Sequence, residues 1–220
     1  MITIVAILLS YLLGSIPFGL IIASAHRIDL RSIGSGNIGA TNVARALGRK
    51  WGCLCFGLDV LKGLAPTLMT LIWVKPEMLR SGSSETVFLW VWLCTGCAAI
   101  LGHVFPIYIG FKGGKAVSTS FGVALGLWPY FTGCAVLAFF TWILMVRVSR
   151  YVSLASVVAG ILFPVYFSVA VLLTADWKLK TLWPLQAIAI LIPLMVTLRH
   201  RDNLKRILTG TENKVAEKTS

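Results

Sequence analysis

Apolar residues fall in six long blocks, approximately 2–24, 51–74, 87–109, 119–148, 154–174 and 182–198, with short polar segments between them. The blocks are apolar throughout, without the single wet face of a soluble helix. About 20 such residues in a helix match the hydrocarbon thickness of a bilayer, so the pattern predicts an all-α integral membrane protein. Block 119–148 is too long for one span, because about 30 residues of helix would reach roughly 45 Å. Its interior reads GLWPYFTG, with Gly126, Pro129 and Gly133. That predicts a turn and two short helices, tilted or partly re-entrant.

Composition agrees: 57% of the 220 residues are hydrophobic and 13% charged, where soluble domains carry about a quarter charged. A net charge of +12 could suggest nucleic acid. In a chain this apolar it points instead to Lys and Arg retained on the cytoplasmic side, and no nucleic-acid partner is expected. With six crossings the cations divide almost evenly between the two sides. With seven, the 25–50 segment, the 110–118 segment, Arg147, Arg150 and everything from Arg199 fall on one side. The other side keeps only Lys75, Arg80, Lys178 and Lys180. The charge rule therefore selects seven transmembrane helices, some short, with the N-terminus outside and the C-terminus cytoplasmic.

The first block lacks a basic lead and a small-x-small cleavage site, so it reads as a spanning helix and not a removed signal. The expected organisation is one polytopic domain over 1–210 and a flexible cytoplasmic tail over 211–220. Cys53, Cys55, Cys94, Cys97 and Cys134 sit in or beside apolar blocks, where cysteine packs as a small hydrophobe. Asp59 and Lys62 lie three apart inside block 51–74, on one helix face. Such a pair marks either a functional site or an ion pair facing the bundle interior, and both readings stay open.

On the cytoplasmic side, Gly34-Ser35-Gly36-Asn37-Ile38-Gly39 has the glycine spacing of a dinucleotide fingerprint. That fingerprint needs a preceding strand and an acid about 20 residues on. Here a membrane helix precedes it, and Asp59 lies in another, so the Rossmann reading fails. The underlying physics remains: glycines let several backbone N–H groups face one anion, and a following helix start adds its dipole. Ser35, Asn37, Thr41 and Asn42 add side-chain donors and Arg45 adds charge; the alternative is a tight glycine-rich connection. A second loop, GFKGGKAVST, repeats the recipe with Gly113, Gly114, Lys112, Lys115, Ser118 and Thr119. It lacks Walker A spacing, and alone it could simply meet lipid headgroups.

Arg147, Arg150, Ser153 and Ser156 follow. Then come His200, Asn203, Lys205 and Arg206, with His200, Asn203 and Ile207 along one helix face. His200 is a candidate acid or base, or part of an interfacial helix with snorkelling cations. All four segments share the cytoplasmic face, where they can converge on one site. No H-x-x-x-x-D, G-x-S-x-G or H-E-x-x-H occurs, and scarce carboxylates there argue against a Mg²⁺ site. Such a site suits a reaction whose leaving group is already good. A transporter for a phosphorylated solute would carry paired broken helices in its two halves, and no such repeat is visible.

In order along the chain, GSIPFG (14–19), GSGNIGATNVARALG (34–48), LDVLKG (58–63), GHVFPIYIGFKGGKAVST (102–119), the segment at Ser153 and RHRDNLKRILTGTENK (199–214) resemble the bacterial acyl-phosphate-dependent glycerol-3-phosphate acyltransferases, the PlsY family. The resemblance covers nearly the whole chain. It implies acyl transfer from acyl phosphate to the 1-hydroxyl of sn-glycerol 3-phosphate, giving lysophosphatidic acid and phosphate, the first acylation of phospholipid synthesis. It implies a place in the bacterial inner membrane among its lipids, a cytoplasmic active site, and no metal or cofactor. By the same resemblance Ser35, Arg45, Lys115, His200 and Asn203 are catalytic. Gly34, Gly36, Asn37, Gly39, Thr41, Asn42, Gly113, Gly114 and Ser153 bind substrate. The family reads G-G-K-G-V-A-T, whereas here Lys115 is followed by Ala116, with Ser118 two residues later.

Overall fold

The computed structural model describes residues 2–215. Every regular element among them is helical, and they form two compact units divided between Trp128 and Pro129. Among the described residues, six helical stretches are long and apolar enough to cross a membrane: Ile2–Ala25, Arg49–Arg80, Glu85–Ile109, Thr132–Ser149, Val152–Leu173 and Leu179–Arg199. Five of them fall on the apolar blocks of the sequence, and Thr132–Ser149 takes the later part of block 119–148.

The first unit contains α1 (Ile2–Ser15), α2 (Phe18–Ala25), α3 (Ala40–Leu47), α4 (Arg49–Met69), α5 (Lys75–Arg80), α6 (Glu85–Val104) and α7 (Val117–Gly126). Pro17, which has no N–H to donate, stands at the break between α1 and α2. Pro66 lies inside α4, and a π-helical turn over Thr70–Val74 follows it. The Thr67 and Thr70 hydroxyls donate to the Gly63 and Pro66 carbonyls at 2.6 and 2.8 Å, the kind of local repair that makes proline tolerable in lipid.

Lipid tails are as apolar as leucine, so close backbone approach and interhelical hydrogen bonds hold these helices together. Helix α1 lies on α6 through Gly14 and Gly102: a Cβ on the first would strike Ala99 and on the second Tyr11. Helix α4 meets α7 in the same way, through Gly63 on Thr119 and Gly122 on Val60. Ser10 Oγ donates to Thr95 O at 2.7 Å, and Trp92 Nε1 to Thr67 O at 2.8 Å. At one end of the unit a small apolar core of Ile22, Ala23, Leu30, Val43 and Cys55 seats α3 against α4.

The second unit contains α8 (Thr132–Ser149), α9 (Val152–Leu173), α10 (Leu179–Arg199) and α11 (Arg201–Leu208). The split expected inside 119–148 is present, since α7 ends at Gly126 and α8 begins at Thr132. Helix α9 packs on both α8 and α10. Phe131 sets its edge on Phe163 and Phe167 at 5.1 and 4.9 Å between ring centres. Thr141 shares a hydrogen bond with Tyr166 Oη at 2.7 Å, and Ser168 Oγ donates to Gln186 Oε1 at 3.1 Å. Leu144, Val148, Leu172 and Leu173 stay exposed, as a lipid-facing surface requires.

Candidate active site

In the first unit the 31–45 loop is built around Asn42, which is buried on α3. Its Nδ2 donates to Leu30 O and Ile33 O, both at 3.0 Å, and its Oδ1 accepts the Ser35 N–H at 3.2 Å. An amide nitrogen has two hydrogens, so Asn42 has no donor left for an anion. It holds the loop, which corrects the expectation that it offers a donor to substrate. Gly34 and Gly36 have φ of +58° and +65°, and a Cβ on Gly34 would also collide with Asn42 Oδ1.

Asn37 Oδ1 accepts the Gly39 N–H at 2.9 Å, leaving its amide hydrogens as the donors it has for a ligand. Gly39 caps α3, whose first N–H groups have no partner within the helix. Ser35, Thr41 and Arg45 are exposed on this face. Arg45 Cδ would stand 3.6 Å from a Cβ placed on Gly34, so the guanidinium stem runs over the glycine turn.

The second loop folds back onto the end of α6. Gly113 N donates to Val104 O at 3.2 Å and Gly114 N to His103 O at 3.1 Å, satisfying carbonyls that a helix end leaves unpaired. Lys115 follows, half-buried. Ala116 then takes φ +59° immediately before α7, a left-handed conformation that favours glycine. The departure from G-G-K-G therefore falls where the backbone needs glycine most. The two loops touch directly, for Arg31 Nη2 donates to Lys112 O at 3.2 Å.

Beneath the loops lies a buried polar cluster. Lys62 Nζ is 2.7 Å from Asp59 Oδ1, and His103 Nδ1 is 3.7 Å from the same oxygen. Thr119 Oγ1 lies 3.2 Å from His103 Nδ1. Asp59 and Lys62 are thus an interior ion pair, one of the two readings left open above. His103 was not foreseen as its partner, because nothing in the spacing of the two segments relates them.

In the second unit, Ser153 at the start of α9 and Asn203 on α11 meet through a residue that sequence reasoning assigned to a flexible tail. Glu212 Oε1 accepts from Ser153 Oγ at 2.9 Å and from Asn203 Nδ2, while Oε2 accepts from Arg206 Nε at 2.8 Å. The expected flexible tail therefore fails at Glu212; residues 216–220 lie outside the described residues. Burial of Glu212 opposes its charge, but the hydrogen bonds from Asn203, Arg206 and Ser153 prevail and hold its carboxyl below the usual range.

The available signal was Gly210, which turns left-handed at φ +70° after α11. It lets Thr211 and Glu212 N–H groups return to Arg206 O. His200, buried between α10 and α11, places Nδ1 2.8 Å from Val196 O. Facing a carbonyl, that nitrogen must carry hydrogen, so a neutral ring has its lone pair at Nε2.

A family model described as glycerol-3-phosphate acyltransferase matches residues 4–210. The glycerol-3-phosphate acyltransferase of Aquifex aeolicus is 42% identical over 94% of this chain and 96% of its own length. That of Geotalea daltonii is 43% identical over 96% of each. The crystal structure of PlsY, an integral membrane glycerol 3-phosphate acyltransferase, in its glycerol 3-phosphate form superposes with a TM-score of 0.80 at 39% identity, covering 98% of this chain and 96% of that one. Its lysophosphatidic acid form gives 0.77 at 38% identity. With helical membrane architecture, ordered motifs and full-length similarity in agreement, the chain belongs to the glycerol-3-phosphate acyltransferase family.

Proposed function

We propose that the protein transfers a fatty acyl group from acyl phosphate to the 1-hydroxyl of sn-glycerol 3-phosphate, releasing lysophosphatidic acid and inorganic phosphate. The observation that carries this reading is the pair of glycine loops in direct contact, each with a cation, Arg45 and Lys115, and neither offering a carboxylate base. Acyl phosphate is a mixed anhydride with a good leaving group. The protein therefore has to bring two anions of like sign together and stabilise the charge growing on the carbonyl oxygen.

Arg45 and Lys115 supply the positive charge. Ser35, Asn37, Thr41 and the Gly34 N–H supply positioning donors; Gly36, Gly39, Gly113 and Gly114, whose N–H groups bond within the protein, let the backbone come close to a ligand, and Asn42 holds the first loop. Ser153 and Asn203 act around Glu212. The glycerol 3-phosphate hydroxyl oxygen attacks the acyl carbon, the bond from that carbon to the phosphate oxygen breaks, and phosphate leaves with the electron pair. A phosphate oxygen of the substrates takes the hydroxyl proton. A second reading gives that proton to His200, favoured by the tautomer its Val196 contact imposes.

The same proposal sets seven crossings, with α7 as the short one, the N-terminus outside, and the loops on the cytoplasmic face of the bacterial inner membrane. The test supplies labelled glycerol 3-phosphate with palmitoyl phosphate, palmitoyl-CoA or palmitoyl carrier protein in parallel. Lysophosphatidic acid from palmitoyl phosphate alone is expected, and product from the CoA ester instead would refute the donor. His200→Gln separates the two proton routes: turnover lost with both substrates still bound would overturn the substrate-assisted route.

A further inference from the structure

We propose that the buried Asp59–Lys62–His103 cluster is a tie that sets the spacing of the two glycine loops, making these three residues positioning residues for the reaction proposed above, on which this inference rests. At the break after α1 the Ile16 carbonyl accepts the Phe18 N–H at 3.1 Å, and Lys62 Nζ donates to the same oxygen at 2.8 Å. The Phe18 ring stands 5.6 Å from the same ammonium. Three residues beyond Ile16, Gly19 lies so close to Ile38 O of the first loop that a Cβ would strike it. Lys62 thereby fixes the segment on which the first loop rests.

The second loop hangs from the other half of the cluster. Asp59 faces His103 at 3.7 Å. The imidazole meets the chain on both sides of Lys115: Thr119 Oγ1 lies at its Nδ1, and a Cβ on Gly114 would strike its Nε2. Asp59, Lys62 and His103 are nearly inaccessible, with side-chain exposures of 3%, 4% and 5%. The other titratable neighbour is Cys55, whose Sγ is 3.8 Å from Asp59 Oδ2. The direct loop contact, Arg31 on Lys112 O, is exposed, and exposed polar contacts constrain geometry weakly. The buried chain from Ile16 O through Lys62, Asp59 and His103 is what holds the two anion loops in register.

A buried ion pair can often be replaced by neutral side chains without loss of stability, which separates a tie from mere packing. The double variant Asp59→Asn/Lys62→Met is expected to melt near the wild type, with KM for the phosphorylated substrates raised about tenfold or more and kcat changed much less. His103→Asn, which keeps an N–H near the Nδ1 position, is expected to recover most of what His103→Leu loses. Spin labels on Ser32→Cys and Lys112→Cys, with Cys53, Cys94 and Cys97 replaced by alanine, read the loop spacing without any acyl donor. The distance distribution is expected to broaden in the double variant.

Wild-type KM together with an unchanged label distance in the folded double variant would overturn the tie. Should that variant not fold, the His103 pair decides: wild-type label distances in both would overturn it equally. An inactive wild type with acyl phosphate would refute the proposed reaction, while the label distances would still judge the tie.

Discussion

At the scale of single residues, burial and hydrogen-bond direction separate groups that hold the loops from groups left exposed on them. Asn42 and Ser35 belong to one motif, yet Asn42 spends both amide hydrogens on Leu30 and Ile33 carbonyls, whereas Ser35 is exposed. Removing the charge of Arg45 or Lys115 by change to methionine is expected to lower kcat/KM by about a hundredfold or more, the usual scale for a group that stabilises developing charge. Steady-state assays with palmitoyl phosphate check this.

Ala116 carries left-handed strain worth roughly 1–2 kcal/mol. Ala116→Gly is therefore expected to raise the melting temperature slightly and Ala116→Val to lower it, as thermal melts in detergent would show. Glu212 makes a pH prediction. Its carboxyl is held below the usual range, so its stabilisation is complete above about pH 4.3. That stabilisation is lost as pH falls through the lowered folded-state value. Glu212→Gln is expected to cost about 2 kcal/mol at pH 7, and the wild type's advantage should vanish under acid; melts of both proteins from pH 7 to pH 3 would reveal it.

At the scale of elements, glycine has different meanings at different helix positions. Gly57 in α4 has open space around its Cα. Gly57→Ala is therefore expected to be tolerated or to stabilise by up to about 1 kcal/mol through helix propensity. Gly102, on α6, lies against the backbone of α1; Gly102→Val must push the two helices apart, and a large loss of folded protein is expected on size-exclusion chromatography. Helix positions and the turn before Pro129 were legible in the sequence, because length and apolar composition set them locally. Which glycines sit at helix contacts was not, since that depends on rotation of one helix about another.

At the scale of the whole molecule, charge distribution argues for orientation. Single cysteines at Ser83 and Asp176 are expected to react with an impermeant maleimide from outside intact cells, and one at Ser32 only after permeabilisation. The opposite pattern would invert the proposed topology. Helix α7, with ten residues, reaches about 15 Å, half the hydrocarbon core. A half-span of this kind brings a loop toward the interface, and Lys115 stands just before it.

The sequence by itself determined the membrane class, the helix blocks, the two glycine loops and the family, because hydropathy runs, glycine spacing and ordered motifs are all written along the chain. It also named most of the polar residues around the candidate site. Only the tertiary structure decided that Asn42 props a loop, that His103 joins Asp59 and Lys62, and that Glu212 gathers Ser153, Asn203 and Arg206. Those facts rest on contacts between segments up to 59 residues apart. Such contacts are set by helix rotation and backbone reversal at Pro17, Ala116 and Gly210, and no local pattern of residues encodes them.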